Sequence, residues 1–240
     1  MFLEILSFYK KSSSLQIKEN RITLGDYLKI EKLSDYFINY HIIPMVSAIW
    51  SMPPDEAKQM PLHFFINFFK NHGLFKIKNR PQWYTVSNRS KTYVKKILNN
   101  ISGEYFKNYE IKKIQRNSKN VKVYYGEENE FFNYDKIVIA THANDALSII
   151  QNPSIDEKNI LSKFNYKINT AIIHTDESLM PKNKKAWCSW NSIIDKNNLK
   201  KNSVTYWLNL LQNLKTQKNI FLTLNPFIKI NKENIITKVN

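Results

Sequence analysis

The chain has 240 residues, of which 42% are hydrophobic and 13% aromatic, so it can form a packed core and is not an intrinsically disordered protein. Its net charge is +16, but nearly all of its basic residues are scattered lysines, whereas phosphate and base recognition favour arginine. We therefore expect no nucleic-acid partner and at most peripheral contact with a membrane. A single cysteine excludes an internal disulfide, and no apolar run approaches the roughly 20 residues of a membrane span, so we expect a cytoplasmic protein.

The first part of the chain is predicted to be helical. Apolar residues recur at helical spacing over residues 2–10 and 24–40, and Thr23 is in place to cap the second helix. Pro44 is expected to break this pattern, because proline lacks the backbone N–H that a helix interior needs.

A strongly aromatic helix is predicted over residues 62–69, ending at Asn71-His72-Gly73 with Gly73 in the left-handed conformation. Residues 80–86 then indicate an extended segment, and residues 90–98 a short helix. The character of the chain therefore changes near residue 80.

The middle of the chain predicts strands. Period-two alternation at residues 111–115 and 121–125 indicates two of them, and the unbroken apolar run at 136–140 predicts a strand buried on both faces. That run stops at Ala140-Thr141-His142, and the carboxyl end of a buried strand is where α/β proteins bind ligands. A short helix over residues 144–150 follows.

The last part is predicted to contain a helix capped by Ser154 and then a second set of strands. Alternating or apolar runs place these strands at residues 169–174, 187–190 and 204–208, with a last strand at 220–224.

Short blocks of unusual composition follow one another through almost the whole chain. They lie at residues 40–45, 48–51, 64–74, 80–86, 135–146, 174–181, 186–191, 205–212 and 223–226. In this order they resemble the flavin-containing amine-oxidase-like proteins, a family of predicted NAD/FAD-binding oxidoreductases. Examples are Arg80-Pro81-Gln82-Trp83 and the Ala-Thr-His that ends the predicted buried strand.

The resemblance implies a fold of α+β or α/β class, in which a partial FAD-binding, Rossmann-like domain is combined with a mixed helix-and-sheet substrate domain of amine-oxidase type. On this basis residues 1–79 are the helical part of the substrate domain and residues 80–150 are part of the FAD-binding domain. Residues 151–240 are then the sheet part of the substrate domain.

Two parts of the family pattern are missing. Its Gly-x-Gly-x-x-Gly turn, which places the FAD pyrophosphate on a helix N-terminus, has no counterpart, because no two of the four glycines lie within three residues of each other. The family's last segment, which returns to the flavin, also has no counterpart after Asn225-Pro226. In addition, Ser87-Asn88 replaces a Gly-Gly turn of the family. The chain therefore looks like an internal fragment of a flavoprotein.

FAD is the cofactor that the resemblance implies, with Ile111, Ala140, Thr141 and His142 as cofactor-binding residues. It also implies an apolar substrate pocket lined by Trp50, Trp83, Trp187, Trp190, Asn191, Tyr206 and Trp207. Other interpretations stay open, because large aromatic residues usually pack in cores and a lone histidine near a strand end is usually structural. Asparagines 191, 209 and 225 could equally orient a substrate or satisfy buried backbone. No catalytic dyad is expected, since the flavin performs the oxidation, and no metal site is expected, since no cluster of His, Cys and Asp has metal-ligand spacing.

The predicted function is that of an FAD-dependent oxidoreductase, which passes a hydride to flavin from a small hydrophobic substrate such as a lipid acyl chain or an amine. One alternative is a catalytically inactive fragment, or half of a split flavoenzyme whose glycine-rich FAD turn lies on a separate chain. A further alternative is a basic module that binds anionic lipid or nucleic acid.

Overall fold

The computed structural model describes residues 1–16, 22–126 and 130–239 and separates into two compact units. Unit 1 consists of Met1–Arg89 and Asn169–Asn240, and unit 2 of Ser90–Ile168. Both contain helices and strands, so the predicted mixed helix-and-sheet class is confirmed. The division into segments 1–79, 80–150 and 151–240 is a functional one and stays a prediction.

The described helices and strands have the following bounds. The helices are α1 Phe2–Ser14, α2 Leu24–Ile30, α3 Asp35–Phe37, α4 Ile43–Trp50, α5 Pro54–Gln59, α6 Leu62–Asn71, α7 Ser90–Asn99, α8 Ala143–Ile149, α9 Ile155–Leu161 and α10 Leu208–Leu211. The strands are β1 Ile111–Arg116, β2 Val121–Tyr125, β3 Glu130–Tyr134, β4 Ala171–His174, β5 Trp190–Asp195, β6 Asn198–Trp207, β7 Phe221–Leu224 and β8 Ile235–Val239. None of the helices described is long and apolar enough to cross a membrane.

The helices of unit 1 enclose an aromatic core, in which Phe8, Phe37, Phe65 and Phe69 are almost completely buried. Their ends follow local sequence signals. Thr23 and Asp26 form a reciprocal capping box at the start of α2, as the sequence predicts for Thr23.

The helix predicted over residues 24–40 is wrong as a single element, because Lys32 takes a left-handed φ of 50° and separates α2 from α3. The break predicted at Pro44 is also wrong. Residues 35–50 continue through α3, a π-helical turn at Ile38–Ile42 and α4. A proline ring clashes with the carbonyl four residues earlier, and the wider π turn just before Pro44 accommodates it without ending the helix.

The sheet of unit 1 has the strand order β5-β6-β7-β4-β8, and each neighbouring pair is antiparallel. Helices α4 and α5 contact β5 and β6. The strand predicted at residues 187–190 is wrong in its bounds, since β5 begins at Trp190. The prediction that residues 220–224 form the last strand is also wrong, because β8 follows and pairs with β4.

Unit 2 contains the antiparallel sheet β1-β2-β3 and the helices α7, α8 and α9. The two predicted strands at β1 and β2 are confirmed, whereas β3 was not predicted. The small core consists of Ile114, Val121 and Val123, with partly buried isoleucines packed against it.

The buried strand predicted at residues 136–140 is wrong for the chain as described. These residues have no assigned strand or helix, and only one side of the run meets the core of unit 2, through Ile137 and Ile139. The side chain between them, Val138, is 91% exposed. Burial on the second face requires another layer of structure, and the described residues do not supply one.

Candidate functional site

The sheet of unit 1 divides the predicted pocket residues between its two faces. Tyr206 and Trp207 are adjacent in β6, so their side chains point to opposite faces. Tyr206 lies opposite Trp190 in the sheet, with ring centroids 5.2 Å apart, whereas Trp207 lies opposite Phe221. We call the face that carries Tyr206 and Trp190 the α4 face.

Tyr206 on the α4 face lies close to the end of helix α4. Ser51, the residue that caps α4 with a left-handed φ of 50°, lies near the phenol of Tyr206 and opposes part of the effect of burial on its pKa. Burial raises the pKa of Tyr206, so its hydroxyl keeps its proton at neutral pH. Trp50 immediately precedes Ser51 in the chain and belongs to a second group of aromatic rings.

That second group is built on one side of α6. Residues four apart share a helix face, so Phe64, Phe68 and His72 lie in line. Trp50 packs on Phe64 and Phe68 with ring centroids 5.7 and 4.6 Å away. Phe68 stacks on His72 at 3.9 Å, and His72 lies nearly parallel to Trp83 at 6.0 Å.

We call this set the aromatic row. It consists of Trp190, Tyr206, Trp50, Phe68, His72 and Trp83, all within unit 1. The Trp190–Tyr206 pair and the series from Trp50 to Trp83 are both accessible to solvent, since Trp190 is 45% and Trp83 66% exposed. The orientation of His72 is fixed because its Nδ1–H donates to the carbonyl of Phe68 over 2.9 Å. No member is a carboxylate, lysine or arginine, so the row offers a mainly apolar surface.

Gly73 places Trp83 beside His72. It has a left-handed φ of 64°, as predicted from the sequence, and the N–H of Leu74 donates to the carbonyl of Phe69. A Cβ atom on Gly73 would lie 2.8 Å from Cδ of Pro81. Glycine therefore allows Pro81 to pack against the end of α6, and Pro81 precedes Trp83 by two residues.

The other predicted tryptophans lie elsewhere. The Trp187 ring meets Trp207 at 5.3 Å and Phe221 at 5.7 Å, on the face opposite the α4 face. The indole N–H of Trp187 donates to the carbonyl of Pro181, and that of Trp207 to Asn219. Both residues are thus part of a packed and hydrogen-bonded cluster, and the structure does not bring them to the aromatic row.

The three asparagines whose role the sequence leaves undecided make hydrogen bonds within the chain itself. The buried Asn191 accepts from the N–H of Cys188 and donates to the carbonyls of Cys188 and Thr205. Asn209 bonds the backbone of Ile220 and Lys218, and Asn225 accepts from the N–H of Thr170. These contacts favour a structural role over substrate binding for each.

A buried polar chain crosses the face opposite the α4 face, and sequence reasoning did not identify it. His174 Nε2 is 2.7 Å from the hydroxyl of Thr223, which is 2.8 Å from that of Thr205. The backbone N–H of Asp176 donates to His174 Nδ1, so the proton of a neutral ring is on Nε2. Burial lowers the pKa of His174. No sequence signal reveals this chain, because it depends on the register of three separate strands.

The predicted cofactor-binding residues are in unit 2. Ile111 begins β1 opposite Tyr125, and Ala140 and Thr141 are exposed just before α8. His142 stacks on Tyr166 with ring centroids 4.3 Å apart, and the Tyr166 hydroxyl accepts from the N–H of Ala143. Ala140, Thr141 and His142 are brought together by chain adjacency, whereas no described contact joins them to Ile111.

These residues do not fit a complete FAD molecule. The pyrophosphate of a dinucleotide needs several free N–H groups at a glycine-rich turn that opens a helix. In the described part of unit 2, the first N–H of α8 is already bound by Tyr166, and α8 has only 7 residues. The described residues of unit 2 therefore form no glycine-rich cradle for the phosphates of FAD.

No protein-family model matches the chain, and no curated protein matches its sequence. Solved structures do match. A CLA-producing fatty acid isomerase from P. acnes has a TM-score of 0.58 and 11% identity over 99% of this chain. A protein named as a candidate protoporphyrinogen oxidase from Exiguobacterium sp. 255-15 has a TM-score of 0.54 and 14% identity over 92%. The chain spans only 60% and 49% of the lengths of those two proteins. The likeness shows that this chain shares its fold with those parts of the two proteins.

Proposed function

We propose that this chain provides the substrate-binding part and a portion of the cofactor domain of an FAD-dependent oxidoreductase of amine-oxidase type. The observation that carries the proposal is the aromatic row, which combines apolar side chains, close ring contacts and access to solvent at Trp190 and Trp83. Ligand sites are mostly lined by aromatic and apolar side chains with a few placed polar groups. In the row, those polar groups are the Tyr206 hydroxyl and His72.

The proposed substrate is a lipid acyl chain. An unbranched hydrocarbon gains affinity from contact with successive aromatic rings and needs no counter-charge along its length. One protein of similar fold is named as a fatty acid isomerase, which supports this choice over other hydrophobic molecules. An amine is the second candidate, because a cation can be held over the face of an aromatic ring.

Flavin supplies the redox chemistry in this proposal, and the chain supplies binding and orientation. Because the residues described in unit 2 do not form a phosphate cradle, we expect weak FAD binding by the chain alone. A desalted mixture with FAD should retain little absorbance near ~450 nm, a property of the flavin. Full retention would show that the cradle is unnecessary.

The substrate proposal is tested by displacement of a fluorescent fatty acid. The chain is incubated with cis-parinaric acid, and linoleate or benzylamine is added as competitor. Replacement of Trp83 by alanine should weaken linoleate binding about 5- to 10-fold, since it removes one ring contact of about 1 kcal/mol. The matched control is Trp187→Phe, which alters a tryptophan on the other face of the sheet and should leave the affinity unchanged.

Three results would overturn the acyl-chain proposal: no displacement by linoleate, stronger displacement by benzylamine, or equal weakening by Trp83→Ala and Trp187→Phe. The first would favour a catalytically inactive fragment, and the second an amine substrate. The third would mean that the acyl chain binds elsewhere than the aromatic row.

A further inference from the structure

Helix α7 of unit 2 has no packing partner in the part of the chain that the structure describes. It buries none of its 10 residues, and no other described helix or strand lies extensively against it. A helix of this length is marginal in water when nothing covers its apolar side, since isolated helices shorter than about 12–15 residues rarely persist. The apolar side of α7 therefore needs a surface to contact.

The side chains of α7 divide into an apolar side and a basic side. The apolar residues recur at spacings of three and four and share one side of the helix: Tyr93, Val94, Ile97 and Leu98. The opposite side carries three lysines, Lys91, Lys95 and Lys96. No apolar residue of α7 is buried, and Ile97 is 56% exposed. This amphipathic pattern, with lysine on the polar side, is typical of helices that lie in a membrane interface.

The charge of the chain around α7 has a single sign. Between Glu56 and Glu104 the sequence contains nine Lys or Arg residues and no Asp or Glu. The lysines of the whole chain are scattered, but the helical repeat brings those of α7 to one side. Among the described residues, none of these three lysines forms a salt bridge. Their charges are therefore available to anionic groups of a partner.

We propose that α7 binds the surface of an anionic lipid bilayer. Its apolar side would lie among the upper acyl carbons, and its three lysines would extend to the lipid phosphates, because the long lysine side chain can keep its charge at the polar level. Tyr93 suits this boundary, since its ring is apolar and its hydroxyl is polar. The inference does not depend on the proposed function, because it involves neither the aromatic row nor flavin.

Two other occupants match only one side of the helix. A nucleic acid would neutralise the lysines but leave the apolar side in water. A second copy of the chain could cover the apolar side, but it would bring together two molecules that each carry a net charge of +16, and this self-repulsion opposes association. An anionic bilayer offers phosphates and hydrocarbon together.

The test measures binding of the full chain to sucrose-loaded vesicles by sedimentation. One set of vesicles contains equal parts of phosphatidylglycerol and phosphatidylcholine, and the other contains phosphatidylcholine alone. The basic side of α7 is probed by the triple variant Lys91→Gln/Lys95→Gln/Lys96→Gln. Its matched control is Lys182→Gln/Lys215→Gln/Lys229→Gln, which removes the same charge from exposed lysines of unit 1.

The apolar side of α7 is probed by Ile97→Ser. The matched control is Ile160→Ser, because Ile160 is an isoleucine of similar exposure on α9, another helix of unit 2. Neither isoleucine is in the core, and circular dichroism verifies that every variant is folded.

We expect the wild-type chain to bind the anionic vesicles and not the vesicles of phosphatidylcholine alone. The triple variant of α7 should bind about 100-fold more weakly, because each basic residue near an anionic surface contributes about fivefold to the affinity. Ile97→Ser should weaken binding about tenfold, since it removes an apolar side chain from the hydrocarbon. Both controls should bind nearly as the wild type does. Amide hydrogen exchange of residues 90–99 should slow when vesicles are added, because the bilayer stabilises the helix.

Equal losses in the two triple variants would overturn the proposal, because total charge rather than α7 would then govern binding. Unchanged binding by Ile97→Ser, or equal binding to both sets of vesicles, would also overturn it. So would unchanged hydrogen exchange of residues 90–99 on bound vesicles. A wild-type dimer that Ile97→Ser dissociates, with no binding to vesicles, would assign the apolar side of α7 to a second copy of the chain instead.

Discussion

Replacing Gly73 with alanine should destabilise the helical part of unit 1 and move Trp83 away from the aromatic row. Gly73 terminates α6 with a φ of 64°, a conformation that glycine adopts without strain. A Cβ at this position would also lie 2.8 Å from Cδ and 3.2 Å from Cγ of Pro81. The substitution therefore introduces backbone strain and a steric overlap at once.

The magnitude follows from these two effects. Holding alanine in the left-handed region costs about 1–2 kcal/mol. Relieving an overlap with a ring that is part of the backbone adds about 1–2 kcal/mol, as in other overpacked sites. We expect a loss of about 2–4 kcal/mol in the free energy of unfolding, or a fall of roughly 5–15 °C in Tm for a chain of this size.

The assay is urea unfolding followed by circular dichroism, with linoleate affinity as a second readout. The control is Gly103→Ala, because only Ile101 approaches that position, at 4.0 Å, and its φ is not positive. The double variant Gly73→Ala/Pro81→Ala separates the two effects, since it removes the overlap and keeps the strain. A loss below about 0.5 kcal/mol for Gly73→Ala, or no recovery in the double variant, would show that strain and overlap at Gly73 do not destabilise unit 1.

Three other predictions follow from contacts in both units. Thr223→Val should cost about 2 kcal/mol in urea unfolding, because it leaves buried hydrogen-bonding partners unpaired, whereas the exposed Thr237→Val should be nearly neutral. Burial lowers the pKa of His174, so the imidazole of the unfolded chain takes up a proton at a higher pH than that of the folded chain, and the free energy of unfolding should fall as pH drops below about 6.5. Urea unfolding at pH 7.5 and 5.5 checks this. A pH dependence of stability that His174→Gln leaves unchanged would contradict it. Hydrogen bonds from Arg116 lower the pKa of Glu157 to about 2. Because the pair is exposed, it should contribute no more than about 1 kcal/mol to the free energy of unfolding, and this contribution should be present above pH 4.5 and lost as pH falls toward 2. Glu157→Gln should remove that pH dependence from the Tm.

Local features of the fold were predictable from the sequence. The cap at Thr23 and the left-handed turn at Gly73 depend only on neighbouring residues, and the structure has both. The consequence of Pro44 was not predictable from the same rules, because the helix absorbs the proline in a π turn that no residue pattern announces.

The site was harder to predict because its arrangement depends on register. Trp190 and Trp187 are three residues apart and read as one strand in the sequence, yet β5 begins at Trp190 and the two rings occupy opposite faces of the sheet. The pairing of Trp190 with Tyr206 and the approach of Ser51 to Tyr206 involve segments far apart in the chain. Composition identifies such residues as aromatic but cannot assign them to a face.

The run at residues 136–140 shows how a pattern and its surroundings can disagree. The sequence indicates burial on both faces, but a side chain is buried only when another element lies against it. In the described chain that holds for Ile137 and Ile139 and fails for Val138.

Photoaffinity labelling tests directly whether the aromatic row binds an acyl chain. A fatty acid that carries a diazirine on its hydrocarbon tail is irradiated with the full chain, and the adducts are mapped by mass spectrometry with and without excess linoleate. We expect linoleate-sensitive adducts on peptides that contain Trp50, Phe68, Trp83 or Tyr206. Adducts confined to the peptides around Trp187, or adducts that excess linoleate does not suppress, would contradict it.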